Sequence, residues 1–287
     1  NLRVTAANYM NIGLAYQNLS DYTQALEAFR QALRINEQMG DRNSISNNLG
    51  NLGSTYHYLT DYPKALEYYQ KALRTSEDIG NKKSIAQHLT RIGNIYAESF
   101  DNLKALDYYQ QSLAIHEQAG DKVEMAGVYI NLGRVHAALA EYSKALAYYE
   151  KSAPIYEQTG NKYYQALIYL NIGGVYEQLA DYPKALEYAQ KSLRLHQEIG
   201  NKAGIAASLG NIGNVYREAP VSSLPALGIN ANQRYAQALH YQFESLQLAK
   251  EIGSLKQEKE TLANISRTYE LQKDYANAFA YFKKFHV

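Results

Sequence analysis

The sequence predicts an all-α solenoid of about seven antiparallel helical pairs, and three observations predict it. Glycines recur every 40 residues along a chain of 287 residues. Apolar residues between them recur at steps of three and four, the spacing of one face of an α-helix. Residues that start and stop helices separate these apolar stretches. A fixed period of about 20 to 50 residues is typical of repeat architectures, in which each unit packs on its neighbours.

Two glycine series mark the repeat and contain 12 of the 18 glycines. The first lies inside predicted helices and the second follows them. They are Gly13, Gly53, Gly93, Gly133, Gly173 and Gly213, and then Gly40, Gly80, Gly120, Gly160, Gly200 and Gly253. A glycine inside a helix costs about 1 kcal/mol relative to alanine. We therefore expect the backbones of paired helices to approach closely there, with no side chain between them.

The second repeat shows both helices of a pair. Its first helix carries an apolar stripe formed by Leu49, Leu52, Tyr56 and Leu59. Asp61 is a good N-cap for the second helix, with Pro63 in the first turn, and Gly80 supplies the left-handed stop. The same pattern divides residues 1–287 into a single array with repeats at about 1–40, 41–80, 81–120, 121–160, 161–200, 201–253 and 254–287.

The last repeat is shorter than the others. Its second helix is predicted to begin near Tyr275 and is cut short at Val287, where the pattern is still apolar and helical. Because repeat arrays end in a polar capping helix, we expect this chain to be part of a longer one.

The unit resembles the tetratricopeptide repeat. The positions that carry the resemblance are Leu49, Leu52, Gly53, Tyr56, Ala65, Tyr69 and Ala72, and similar sets occur throughout the chain. The unit departs from the family in having 40 residues rather than about 34, and no proline closes its second helix. This longer variety is similar to the repeats of kinesin light chain and of bacterial peptide-sensing regulators. The resemblance implies a right-handed superhelix whose concave groove is lined by the first helix of each pair.

The resemblance places a series of asparagines in that groove. They are Asn11, Asn51, Asn131, Asn171, Asn211 and Asn264, with Arg91 at this position in the third repeat. Leu14, Asn94, Arg134, Asn214 and Arg267 belong to the same predicted inner face. Asparagine is a poor interior helix residue, so this recurrence requires a cause. Each amide could bond the backbone of an extended peptide, or it could bond the adjacent helix or a water molecule.

Charged residues vary from copy to copy around this series. They are Arg91, Arg134, Arg217 and Arg267, against Glu98, Glu177, Glu218, Glu260 and Glu270. The predicted groove is therefore mixed in sign. Arg91 and Arg134 could pair with a carboxylate of a partner, and the alternative is that these charges are solvated surface groups.

Two irregularities interrupt the array. An insertion at 218–234 lengthens one turn by 13 residues, and we expect it to expose Leu224, Leu227 and Ile229. It could cap the groove or contact another domain, or it could pack on its own repeat. Pro154 lies inside a predicted second helix, where it removes a backbone hydrogen bond and should introduce a kink.

Composition and motifs argue against several functions. The net charge of +1 disfavours general nucleic-acid binding, and the absence of cysteine excludes thiolate chemistry. No stretch is apolar enough to cross a membrane. No catalytic motif is found, His116 and His196 are two repeats apart, and His136 occupies a tyrosine position. We expect no enzyme activity, metal or cofactor, and we expect a cytoplasmic protein.

These observations predict a non-catalytic module that binds a peptide or an extended protein segment in its groove. The alternative is a regulatory or sensor domain that controls an attached output domain in a longer signalling protein. Sequence beyond Val287 discriminates the two, because an output domain there favours the second.

Overall fold

The all-α prediction is confirmed. The computed structural model describes residues 1–286, and this stretch contains fourteen α-helices, one 3₁₀ helix and no strand. The helices of the first half are α1 (Leu2–Asn18), α2 (Tyr22–Met39), α3 (Arg42–Tyr58), α4 (Tyr62–Asp78), α5 (Lys82–Glu98), α6 (Asn102–Ala119) and α7 (Lys122–Ala138). Those of the second half are α8 (Tyr142–Gln158), α9 (Lys162–Gln178), α10 (Tyr182–Glu198), α11 (Lys202–Glu218), α12 (Arg234–Glu251), α13 (Leu255–Leu271) and α14 (Tyr275–His286).

The helix boundaries follow the predicted capping residues. The Asp61 side chain accepts a hydrogen bond from the backbone N–H of Lys64, and Pro63 lies in the first turn of α4. Gly80 adopts the left-handed conformation with a φ of 68°. After most first helices, the residue in the left-handed conformation is not a glycine. These residues are Ser20, Thr60, Phe100, Ala140, Ala180 and Lys273.

The helices form two units, which begin at Asn1 and at Ala140. In the first unit α1 packs on α2, α3 on α4 and α5 on α6; in the second, α9 packs on α10, α11 on α12 and α13 on α14. First helices also touch each other, α3 with α5 and α5 with α7, and likewise α9 with α11 and α11 with α13. Among the described residues, no two second helices within a unit are in comparable contact. The first helices therefore lie on the inside of the curve in each unit.

The helical glycines do not all serve the purpose that we expected. A methyl group on Gly53 would lie 2.6 Å from the ring of Tyr69, and one on Gly13 would lie 2.5 Å from the ring of Phe29. At these positions an aromatic side chain of the second helix lies against the glycine, so the prediction of two bare backbones is wrong there. It holds at Gly173, where the nearest atom is the backbone oxygen of Ala185 at 3.3 Å.

The insertion packs both on its own repeat and on the preceding one. It contains a 3₁₀ helix, Val221–Leu227, in contact with α10. Leu224 and Leu227 are buried and Ile229 is partly buried in the same cluster as Ile212. The prediction that the insertion exposes these residues is therefore wrong, because the 3₁₀ turn directs the two leucines into the core.

Helix α8 is continuous from Tyr142 to Gln158 through Pro154. The predicted kink at Pro154 stays a prediction.

Candidate functional site

The asparagine series lies on the first helices, and most of its amides are free. Asn11 is exposed, and the other members are half-buried. Within residues 1–286, the side chains of Asn51, Asn131, Asn171 and Asn211 make no hydrogen bond. The Asn171 Nδ2 atom and the Asn214 Oδ1 atom are buried without a partner. Bonding to the adjacent helix therefore does not account for these amides.

Two predicted site residues, Asn94 and Asn264, accept hydrogen bonds from other side chains of the protein. The Tyr109 hydroxyl donates to Asn94 Oδ1 at 2.7 Å, and burial raises the pKa of Tyr109. The Arg217 guanidinium donates to Asn264 Oδ1 at 2.9 Å. The oxygen atoms of Asn94 and Asn264 thus accept hydrogen bonds within the protein.

The two arginines predicted in the first unit have different surroundings. The Arg91 guanidinium lies 5.9 Å from the centroid of the Tyr69 ring. Arg134 is exposed and lines a cavity of about 250 Å³ together with Asn131. The other residues around this cavity are Ala97, Glu98, Phe100, Asn102, Tyr109, Val135 and Ala138. The structure thus brings Asn131 and Arg134 together at one opening.

Glu98 is held by the preceding repeat. Its Oε2 atom lies 2.7 Å from His57 Nε2 and accepts a hydrogen bond of 3.2 Å from the Tyr62 hydroxyl. These contacts join α3, the start of α4 and the end of α5. Glu98 is therefore an anchored side chain, and Arg134 is the more available charge at the cavity.

In the second unit, the buried side chain of Arg217 forms hydrogen bonds with two residues of the predicted inner face, Glu218 and Asn264. Arg217 is 6 % exposed, and its Nε atom donates to Glu218 Oε1 at 2.9 Å. Arg267, on α13, places its Nε atom 3.5 Å from the same oxygen. Arg234 donates to the backbone oxygens of Tyr216 and Arg217, which ties the end of the insertion to α11. A single cluster thus fixes the end of α11 against α12 and α13.

The charges of this cluster affect the pKa of Glu177. Burial raises the pKa of Glu177 to about 7; the positive charge of Arg217 opposes the rise, and the negative charge of Glu218 adds to it. Its carboxyl group is therefore partly protonated near neutral pH.

Sequence reasoning counted these charges but did not place Arg217, Glu218 and Glu177 among the site residues. The available signal was the position four residues after the helical glycine, which holds His57, Ala97, Ala137, Glu177 and Arg217 in successive repeats.

Asn211, Asn214 and Asn264 line a smaller cavity of about 60 Å³ in the second unit. Gln257, Glu260 and Thr261 of α13 complete its polar walls. A space of this size holds water or a single small group, so it suits a hydrogen bond to a ligand better than enclosure of a large side chain.

The buried histidines are His88, His116, His136 and His196, whereas His57 is half-buried and His240 is exposed. His88 Nε2 lies 2.9 Å from the Ser46 hydroxyl, and burial, with a smaller effect of Arg91, lowers the pKa of His88 to about 4. Within the described part of the chain, no group of three metal-binding side chains comes together. Among the helices of residues 1–286, none combines the length and the apolar character needed to cross a membrane.

The sequence pattern of the tetratricopeptide repeat family matches residues 4–78, 84–158 and 164–219. A second pattern of the same family matches residues 259–285. These matches cover well over half of the chain, so the protein belongs to the tetratricopeptide repeat family. The sequence has no significant match among curated proteins.

Solved structures share the fold at low sequence identity. Aspartyl phosphate phosphatase F from Bacillus subtilis has a TM-score of 0.77 at 14 % identity, over 99 % of this chain and 70 % of that one. The Rap conjugation gene regulator of plasmid pLS20, solved in complex with a Phr peptide, has a TM-score of 0.68 at 13 % identity, over 99 % and 75 %. A signal transduction ATPase (STAND) protein with a tetratricopeptide repeat sensor, from Pyrococcus horikoshii, has a TM-score of 0.72 at 17 % identity, over 97 % and 41 %. At these identities the likeness shows the fold.

Proposed function

We propose that this protein binds an extended peptide or protein segment along the surface that the first helices form within a unit. The observation that carries the proposal is that each unit has half-buried amides without a hydrogen bond, those of Asn51 and Asn131 in the first unit and those of Asn171 and Asn211 in the second. An amide side chain can donate to a backbone carbonyl and accept from a backbone N–H, which are the groups that an extended peptide presents. A buried polar group without a partner is costly, so a ligand that supplies the partner gains affinity.

The structural relatives support this role by analogy. The pLS20 regulator carries a peptide in its solved complex, and its fold is similar to the fold of this chain. The proposed role is binding alone and needs no catalytic group, metal or cofactor. We keep the cytoplasm as the expected compartment.

The test begins with selection of binders from a library of ten-residue peptides. The selected peptides are then titrated against Asn171→Ala, Asn211→Ala and the double variant. Each neutral hydrogen bond contributes about 1 kcal/mol, so each single change should weaken binding about fivefold. The matched control is Gln190→Ala, which removes an exposed amide from the second helix α10 and should leave affinity unchanged.

Thermal stability separates the two interpretations of the asparagines. Because the buried Asn171 Nδ2 atom has no partner, its removal should leave the melting temperature unchanged or raise it. Unchanged peptide affinity together with a lower melting temperature would show that the amides belong to the scaffold, and the proposal would then be wrong.

A second candidate is a sensor domain that controls an attached output domain. It is favoured by the fold shared with the STAND protein, whose name includes a tetratricopeptide repeat sensor. In this case a selected peptide should change the activity or oligomeric state of the full-length natural protein. A peptide that binds without either effect would favour the simple binding role.

A further inference from the structure

Three side chains meet at the boundary between the second and third repeats, and their counterparts one repeat later are different. They are His57 and Tyr62 of the second repeat and Glu98 of the third. The His57 and Tyr62 rings lie edge to face with centroids 6.0 Å apart, and both residues reach the Glu98 carboxylate. Together they fill the space between the ends of two first helices and the intervening turn.

The residues 40 positions later are Ala97, Asn102 and Ala138. Two large side chains and a carboxylate are thus replaced by two methyl groups and a short amide. The cavity of about 250 Å³ lies at this place, and all three residues line it. Asn102 takes a position that is tyrosine at the start of the other second helices, in Tyr22, Tyr62, Tyr142, Tyr182, Tyr235 and Tyr275.

The turn beside the cavity is also unusual. Phe100 has a φ of 62° and is 89 % exposed, although it lines the cavity. The left-handed conformation is rare for a bulky residue, and other turns hold smaller residues here, such as Ser20, Thr60, Ala140 and Ala180. An exposed aromatic ring therefore stands at the rim of a space from which a tyrosine is missing.

The lining defines the kind of group that fits. Tyr109 and Val135 are buried and offer an apolar floor between the methyl groups of Ala97 and Ala138. Polar groups complete it, since the amides of Asn102 and Asn131 make no hydrogen bond within residues 1–286 and the Arg134 guanidinium is exposed. A phenol ring combines an apolar body with a hydroxyl that both donates and accepts.

We propose that this cavity receives a tyrosine side chain of the bound segment, in the place that the array's own tyrosine leaves empty. The inference rests on the proposed function, because it names one side chain of the same ligand. The phenol ring packs on Tyr109 and Phe100, and its hydroxyl bonds Asn102, Asn131 or Arg134. A phenylalanine would fill the same space but leave those polar groups unpaired, so the site prefers tyrosine.

The probes are three capped pentapeptides, acetyl-Ala-Ala-Xaa-Ala-Ala-amide, in which Xaa is tyrosine, phenylalanine or leucine. They are titrated into the whole chain labelled at alanine methyl groups, and the methyl resonances of Ala97 and Ala138 are followed by NMR. The tyrosine peptide should shift both resonances in a saturable way. The phenylalanine peptide should bind at least about fivefold more weakly, the value of one lost neutral hydrogen bond, and the leucine peptide more weakly still.

Asn102→Tyr restores the residue that most repeats carry and should close the cavity. It should raise the melting temperature, because it fills empty space, and weaken the tyrosine peptide at least tenfold. The matched control is Gln110→Tyr, which adds a tyrosine to an exposed position of α6 and should leave peptide binding unchanged.

The outcomes distinguish this inference from the proposed function. If peptides shift the side-chain amides of Asn51 or Asn171 but not the Ala97 and Ala138 methyl groups, the tyrosine site is wrong and groove binding stands. The tyrosine site is also wrong, and groove binding stands, if the Asn102→Tyr variant binds the tyrosine peptide as tightly as the original protein does. The same conclusion follows if the phenylalanine peptide binds as tightly as the tyrosine peptide. If neither these pentapeptides nor the selected ten-residue peptides shift any first-helix resonance, both proposals are wrong.

Discussion

At the scale of single residues, His88 shows how the fold sets a protonation state. Its ring is 2 % exposed, its Nε2 atom faces Ser46, and its Nδ1 atom has no partner. Burial lowers its pKa from 6.5 to about 4. The folded protein thus holds His88 neutral over a range of pH in which the unfolded chain would protonate it.

This difference predicts a loss of stability in mild acid. Between pH 6.5 and about 4 the unfolded state binds a proton that the folded state does not, so the free energy of unfolding should fall as the pH falls. The loss due to His88 should reach roughly 3 kcal/mol, since each pKa unit corresponds to about 1.4 kcal/mol.

Urea unfolding from pH 7 to pH 4 measures this loss, with His88→Val as the matched control because Val128 occupies the same position one repeat later. Glu177 acts in the opposite direction, since its raised pKa favours the folded state at low pH. The difference between the original protein and the variant therefore isolates His88. Parallel curves for the two proteins would contradict the prediction.

A second residue-scale prediction compares two helical glycines. Gly53→Ala should destabilise the protein by about 1–3 kcal/mol, because its methyl group would lie 2.6 Å from the Tyr69 ring and force it to move. Gly174→Ala meets nothing within 4 Å and should stabilise α9 by up to about 1 kcal/mol. Chemical denaturation of both variants checks this. Equal effects at the two positions would show that helix propensity alone decides them.

The sequence predicted that these glycines are structural but gave the wrong contact for several of them. Periodicity locates a glycine on a helix, whereas the identity of its neighbour depends on how the paired helix is rotated. The side chain at Tyr69 points at Gly53, but Ala189 at the equivalent place leaves Gly173 facing backbone. The contact made by each glycine is therefore known only when the first and second helices of its own repeat are seen packed together.

At the scale of elements, helix boundaries were predictable and the insertion was not. N-cap residues and left-handed glycines act within a few residues, so sequence locates them directly. The burial of Leu224 and Leu227 depends on a 3₁₀ turn and on a surface supplied by α10, to which no local pattern points. The sequence of this long loop therefore suggested that its leucines are exposed, whereas the structure buries them in the core.

The insertion should contribute to the stability of its repeat. Leu224→Ala removes a side chain that is 1 % exposed, and it should cost about 2–5 kcal/mol through lost burial and the cavity left behind. Val221→Ala is the matched control, because Val221 lies in the same 3₁₀ helix and is 61 % exposed. The control should change stability by about 0.5 kcal/mol or less. Thermal unfolding checks both, and equal small effects would contradict a core role for the insertion.

At the scale of the whole molecule, the repeat predicted the fold class and the family, and the surroundings of the candidate site residues could be predicted only in part. Copy-to-copy comparison located Asn131, Asn171 and Asn211, because their shared phase is a property of sequence. It did not show that the amide oxygens of Asn94 and Asn264 accept hydrogen bonds within the protein, since their partners Tyr109 and Arg217 lie on other helices. Hydrogen-bond partners on different helices can be identified only from the three-dimensional packing of those helices.

The central claim is that an extended segment lies along the first helices of a unit and meets successive amides through its backbone. Packed helices are about 8–10 Å apart, and an extended chain advances about 3.3–3.6 Å per residue, so contacts should recur at about every third ligand residue. The side chains between these contacts should matter less, except where the tyrosine site holds one.

An amide-to-ester scan of a selected ten-residue peptide tests this claim most directly. Each ester replaces one backbone N–H, and the affinity of every single-ester peptide is measured by calorimetric titration. The account predicts losses of about fivefold at every third position, from one hydrogen bond each, and little change between them. Losses without this period, or unchanged affinity throughout the scan, would contradict the account.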